Sequence, residues 1–352
     1  MIPHTLTALA AFAVVSSSLH ADPARDGRAL PAAEVQSARI LAAIEALPLK
    51  RAVEGSDEHI EGLRKTEAWV KTSLADMGYE VHEQAFDWAP RPRRESAPPR
   101  TWKNFWVEIP GVTTPNEVII VGAHFDAVPQ SPGADDNGSG TAAVLEMARV
   151  LHGRKVDRTI RLMFFNAEEF GLIGSRAYVN EIARPAVEEN REKIIGMISL
   201  DGIGYYSSEP NSQKWPPQVK LLGLDNVLPT TGDFIVLNGV QRDKPFTDPL
   251  AEAMLAAEPE LKMLRADTLL PGHVPDQLRS DHAPFITLGV PAIQFADTSN
   301  FRSPHYHQPT DTIDTLDMGS ITRLVKALAH ATWTLAGPVE SAQEKSPEPG
   351  DL

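Results

Sequence analysis

His124 and Asp126 close the run EVIIVGAHFD, and Asp135 and Asp136 sit in GADDNGSG. Glu168 and Glu169 follow RLMFFNA, Asp201 follows IIGMISL, and His307 ends SPHYH. Imidazoles and carboxylates hold divalent metals and move protons. Taken singly, each piece has a plain reading. An Asp before Gly is usually a turn, an Asp-Asp-Asn-Gly run a loop or helix cap, and a Glu pair after a strand a solvated one. Taken together they point to one metal site along one edge of a sheet. In open α/β sheets, ligands bind outside the carboxyl ends of the strands.

The elements that must position these residues can be read from the periodicity. EVIIVGAHF is a continuous apolar run, as expected of a strand buried on both faces. GTAAVLEMARVLHG has helical spacing and a closing Gly. TIRLMFF predicts the next strand, GLIGSRAYVNEIA a helix, and KIIGMISL a strand. This β-α-β-α-β order predicts an α/β fold, a single-domain three-layer α/β/α sandwich around a mixed, mostly parallel sheet. Upstream, 33–47 and 63–77 read as helices. VHEQAF and NFWVEIPG read as strands, separated by an exposed loop rich in Pro and Arg. Residues 202–240 break the pattern and read as a long insertion that could wall the site. Residues 248–258 read as a helix, VPAIQF as a strand, and 320–335 as a closing helix.

Composition narrows the chemistry. The 352 residues carry a net charge of −14, which argues against a nucleic-acid partner, because phosphate binding needs clustered Lys and Arg. There are no cysteines, so any zinc must be held by His, Asp and Glu, as in catalytic rather than structural sites. Residues 1–21 read as a signal peptide, with an apolar run too short to span a bilayer and small residues after it. The protein is therefore expected to be exported, periplasmic or secreted, with no transmembrane segment after processing. The catalytic domain is expected over 22–336 and a disordered tail over 337–352.

The strings GAHFD, GADDNGSG, FFNAEEFGLIGS, ISLDGIG, SDHAPF and PHYHQPTDTIDTLD carry a family resemblance. The chain resembles the co-catalytic di-zinc aminopeptidases of metallopeptidase clan MH, family M28, in their compact secreted form. The resemblance covers roughly residues 104–335. It implies two Zn²⁺ per chain, one on His124 and Asp201 and the other on Glu169 and His307. It also implies that Asp136 bridges them across a cis Asp136–Asn137 peptide. Glu168 would be the general base and Asp126 would hydrogen-bond His124. Tyr306 would either polarise the substrate carbonyl or merely pack. His305, two residues before His307, is the alternative ligand, and His282 reads as a structural neighbour of the site.

The charges agree with this scheme. Asp136, Glu169 and Asp201 with one bridging hydroxide offset the charge of two Zn²⁺, and a buried site tolerates little imbalance. The implied activity is hydrolysis of the N-terminal bond of peptides with a free N-terminus, by a metal-bridging hydroxide with Glu168 as base, in a monomer. Two alternatives stay open: a glutaminyl-peptide cyclase, which shares the fold but binds one zinc, and a non-catalytic binding domain. Carboxypeptidase or dipeptidase activity would need a cation for the terminal carboxylate, and Arg279 and Arg302 are the candidates. The pocket for the substrate's first side chain is expected near the 202–240 insertion and Phe301.

Overall fold

The computed structural model describes residues 29–89, 99–224, 226–270 and 272–339. Eight described strands form one sheet: β1 His82–Trp88, β2 Arg100–Ile109, β3 Gly111–His124, β4 Val156–Phe165, β5 Lys193–Leu200, β6 Ile235–Asn238, β7 Met263–Arg265 and β8 Ala292–Ala296. Their order is β1-β2-β4-β3-β5-β8-β6-β7. The centre, β4-β3-β5-β8, is parallel throughout. Parallel strands point their carboxyl ends the same way, so the residues after β3, β4, β5 and β8 share one edge.

Burial explains the apolar runs. Val118 to Val121 are all at most 1% exposed. Ile119 and Val121 enter one core cluster, which includes Leu145 and Val144 from the Gly140–Leu151 helix and Leu324 and Leu328 from the Met318–Ala336 helix. Val118 and Ile120 point to the opposite face and pack with Tyr178, Met197 and Phe285. A strand covered on both faces has no reason to alternate polar and apolar residues. The sheet thus lies between two helical layers, the expected α/β/α sandwich.

The flanks are less regular than expected. β1 and β2 form a hairpin, and β2 pairs antiparallel with β4. β1 extends to Trp88 and β2 starts at Arg100, so the Pro- and Arg-rich connection is shorter than the composition suggested. The stretch read as pure insertion ends in a strand, because β6 enters the sheet antiparallel to β8 and parallel to β7. Its run FIVLN is too short to announce itself by periodicity. The helix expected over 171–183 starts at Ile173 and continues, with a widened turn over Val179–Ala183, to Glu188. The helix expected from 63 starts at Asp57, and Ser56 with His59 closes its first turn reciprocally.

The expected signal segment lies outside the described residues, as does the tail beyond 339. Residues 337–339 remain attached to the fold: Asp157 donates to the Gly337 carbonyl at 2.7 Å, and Val339 to that of Lys155 at 3.1 Å. Among the described residues no helix is long and apolar enough to cross a membrane.

Candidate metal centre

Three strand ends and two loops build the site. His124 is the last residue of β3, Glu168 and Glu169 lie just past β4, and Asp201 directly follows β5. Asp136 comes from the irregular turn 134–139 that leads into the Gly140–Leu151 helix, and the Asp136–Asn137 peptide is cis. His307 arrives from the loop after β8 with a φ of 58°. Despite their separation in sequence, these side chains form two groups whose donor atoms lie within 4.8 Å of one another. One is His124, Glu168 and Asp201, and the other is Asp136, Glu169 and His307.

Asp136 stands between the groups. Its Oδ1 lies 3.3 Å from His124 Nε2 and its Oδ2 lies 3.0 Å from His307 Nε2. His307 Nε2 is also 3.0 Å from Glu169 Oε2, and His124 Nε2 is 3.5 Å from Asp201 Oδ1. His305 does not join them: its Nδ1 meets Thr310 Oγ1 at 3.0 Å. His282 Nε2 sits 2.6 Å from the Gln277 carbonyl, the structural place expected of it.

The arrangement fits a metal. His124 Nε2, His307 Nε2 and Glu169 Oε1 are buried with no hydrogen-bond partner among the described residues. Orphaned buried polar atoms are costly and call for an explanation. Imidazole nitrogens and carboxylate oxygens aimed at common points are the donor set that zinc takes without thiolates.

Asp126 contacts the site in two ways. Its carboxylate accepts the amide N–H groups of Glu168 at 3.1 Å and Glu169 at 3.3 Å. His124 Nδ1 lies 3.5 Å from that carboxylate but 3.2 Å from the main-chain carbonyl of Asp126. With its backbone carbonyl the residue thus helps orient the ring. Its side chain holds the turn that carries both glutamates.

Electrostatics follow from crowding carboxylates in a buried place. Burial, reinforced by Asp201 and Glu169, pushes the Glu168 carboxyl well above the usual range. Burial and Asp136 push Glu169 up to about 8. Burial alone would lower His124, but Glu168, Asp126, Asp136 and Asp201 together raise it well above normal. His307 behaves likewise and is raised to about 10 by Asp136 and Glu169. Burial works against ionised Asp136, yet the two histidines hold its carboxyl below its usual value. In the metal-free protein Glu169 and His307 therefore hold protons at neutral pH that a metal must displace. Both folded values are raised, so proton binding favours the metal-free form at low pH, and that advantage is lost as pH rises through them. Apparent zinc affinity should climb with pH until the two groups have lost their protons, at about 8 for Glu169 and about 10 for His307, by about tenfold per unit for each proton displaced. Titration calorimetry in buffers of different ionisation enthalpy would count those protons, and a pH-independent affinity would contradict the ligand set.

Three more groups escaped the sequence reading. Asp311, in the quoted string TDTIDTLD, accepts the N–H groups of Asp135 at 2.8 Å and Asp136 at 3.2 Å. Asp281, in SDHAPF, is fully buried, and burial raises its carboxyl to about 7 against the pull of His124. Arg51 lies far upstream and is almost fully buried. The first two sit within family-like strings, but nothing in their spacing states what they bind.

Tyr306 stacks on the His307 ring, with centroids 3.9 Å apart, and its hydroxyl accepts from Arg279 Nη2 at 3.1 Å. Next to it, a cavity of roughly 840 Å³ out to its open mouth begins at Asp201 and Tyr306. Its walls include Trp215, Val219, Leu224 and Leu228 from the expected insertion and Phe301, with Arg279 among the lining residues.

A sheet of this topology with paired imidazole–carboxylate groups at its carboxyl edge is built for metal-dependent chemistry. The chain belongs to peptidase family M28, a family of peptide hydrolases, whose model matches residues 104–332. It is 30% identical over 284 residues to the protein YfbL of Escherichia coli, covering 77% of this chain and 80% of that one. Other curated relatives are matched over less of their length, from 58% down to 16%. Among solved structures, the zinc aminopeptidase BSAP from Bacillus subtilis superposes with a TM-score of 0.65 at 17% identity, covering 90% of this chain and 98% of that one. The glutaminyl cyclase of Fimbriiglobus ruber superposes with a TM-score of 0.63 at 17% identity, covering 89% and 99%. At such identities the superpositions speak for the shared fold.

Proposed function

We propose that the protein is a zinc aminopeptidase that removes the first residue of peptides with a free N-terminus. The observation that carries this reading is Asp136, which offers one carboxylate oxygen to each histidine group. That supports two metals with Asp136 between them, His124 and Asp201 on one side, Glu169 and His307 on the other. When bound, the zinc ions supply Lewis acidity and lower the pKa of water.

The chain's own groups do the rest. Glu168, with its carboxyl raised by burial, is suited to take a proton from the attacking water and hand it to the departing amine. The Tyr306 hydroxyl, accepting from Arg279, keeps its own proton available for the substrate carbonyl oxygen. The excess of carboxylates attracts the free α-ammonium of a peptide, which favours cleavage at the N-terminus.

The cavity beside Asp201 takes the first side chain. Its Leu, Val and Trp lining favours bulky apolar residues, and Arg279 in its wall disfavours Lys and Arg. Leucyl or phenylalanyl anilides should be cleaved with kcat/KM at least about tenfold above alanyl anilide. Equal rates for lysyl and leucyl anilides would remove the cavity from the reading.

In the same proposal, residues 1–21 direct export and 22–336 form one monomeric catalytic domain. The deciding experiment is a panel of aminoacyl anilides and N-terminal glutaminyl peptides, assayed before chelation, after it, and after zinc is restored. Release of free amino acids that stops on chelation and returns with zinc supports the aminopeptidase. Release of ammonia without chain shortening would instead identify a glutaminyl cyclase.

A further inference from the structure

Residues 48–59 precede the stretch matched to the family, yet they form the back of the candidate metal centre. The Arg51 carbonyl accepts from the Ala127 N–H at 2.9 Å, and His59 Nε2 lies 2.8 Å from the Pro129 carbonyl. The Arg51 side chain, 2% exposed, donates to four main-chain carbonyls. Nε reaches Phe125 at 2.9 Å, Nη1 reaches Pro48 at 3.1 Å and also Pro132, and Nη2 reaches Gly133. A planar guanidinium with five fixed donors can hold several carbonyls at once, which an ammonium cannot.

Asp311 grips the same loop from its other end through the N–H groups of Asp135 and Asp136. The peptides from 132 to 136 therefore run between a buried cation that takes carbonyls and a buried anion that takes N–H groups. Gly133 fits this close approach: its φ is +65°, and a Cβ there would meet Arg51 Nη2 at 2.8 Å. The loop ends on Asp136, whose two oxygens face the two histidines.

We propose that Arg51 is a positioning residue for the metal centre, clamping the 132–136 loop with Asp311 so that Asp136 is held between its two neighbouring groups before a metal arrives. This rests on reading Asp136 as the shared ligand. Two effects of Arg51 oppose each other. Its charge alone would repel divalent ions, whereas its hydrogen bonds place the ligand that receives them. The acidic groups acting on it include Asp311, Asp126 and Asp136, so its charge is answered inside the cluster and placement governs.

The test compares zinc dissociation constants, by chelator competition, for the full chain and for Arg51→Met and Arg51→Lys. Far-ultraviolet circular dichroism and melting of the zinc-free proteins check folding. Placement predicts that Arg51→Met weakens zinc about 10–100-fold, the range found when groups supporting a ligand are removed. Arg51→Lys should recover only part of the loss. Combining Arg51→Lys with Asp311→Asn should weaken zinc by less than the product of the single effects, because both act on one loop. Should Arg51→Met not fold, the lysine variant and the double variant carry the test. Tighter zinc in Arg51→Met with unchanged zinc in Arg51→Lys would mean that charge governs, and would overturn the proposal. Wild-type affinity in the folded lysine variant would overturn it too. Wild-type protein that takes up no zinc at all would instead overturn the metal reading beneath it.

Discussion

Glu168→Gln should lower kcat by about 10²–10⁴-fold while leaving zinc content unchanged. The magnitude is that of a lost general acid–base group. Glutamine preserves the shape of the side chain and the amide N–H that Asp126 holds, so the turn carrying Glu169 stays in place. The prediction is sharp because the geometry allows a rival role: Glu168 Oε2 lies 3.9 Å from His124 Nε2, within one donor group with Asp201. Turnover measured beside metal content by mass spectrometry separates the two. Zinc lost along with activity would make Glu168 a ligand and move the proton-transfer role elsewhere.

Asp136→Asn should cost at least half of the zinc and bring activity down to the level of the chelated enzyme. A carboxylate presents two acceptor oxygens, whereas an amide presents one and turns an N–H donor toward the other group. Only one of the two histidine groups can then keep a shared oxygen. The loss should also appear in stability. A bound ligand at one hundred times its dissociation constant adds about 2.7 kcal/mol to the folded state, so the zinc-dependent rise in melting temperature should shrink in the variant. Full zinc occupancy and full activity in Asp136→Asn would leave the shared-ligand scheme without its central residue.

The site was legible because of how parallel sheets are made. Strands buried on both faces read as unbroken apolar runs, so their carboxyl ends are marked wherever the run meets a charge, as at His124, Glu168 and Asp201. Family-like strings then supplied roles that spacing alone left open, including the choice of His307 over His305. What stayed hidden is set by tertiary contact. Arg51 meets three of its four carbonyl partners 74 or more residues away, and no local pattern marks such a residue. The place of Asp126 was visible, but not that its carboxylate would serve the amides of Glu168 and Glu169. β6 was lost inside a stretch of Pro, Gly and Ser, where four residues are too few to establish a period.

Several of the side chains that could perform the reaction, His124, Glu168 and Asp201 among them, hang from strand ends in the middle of a sheet packed on both faces, where displacement would disturb the whole core. In the proposed reading, much of the wall for a substrate's first side chain comes instead from 215–228, whose described residues include one short helix, Pro217–Leu221. On that reading, selectivity and chemistry should be separately mutable in this protein. If that reading holds, changes confined to one outlying segment should shift substrate preference while the reaction itself is left intact.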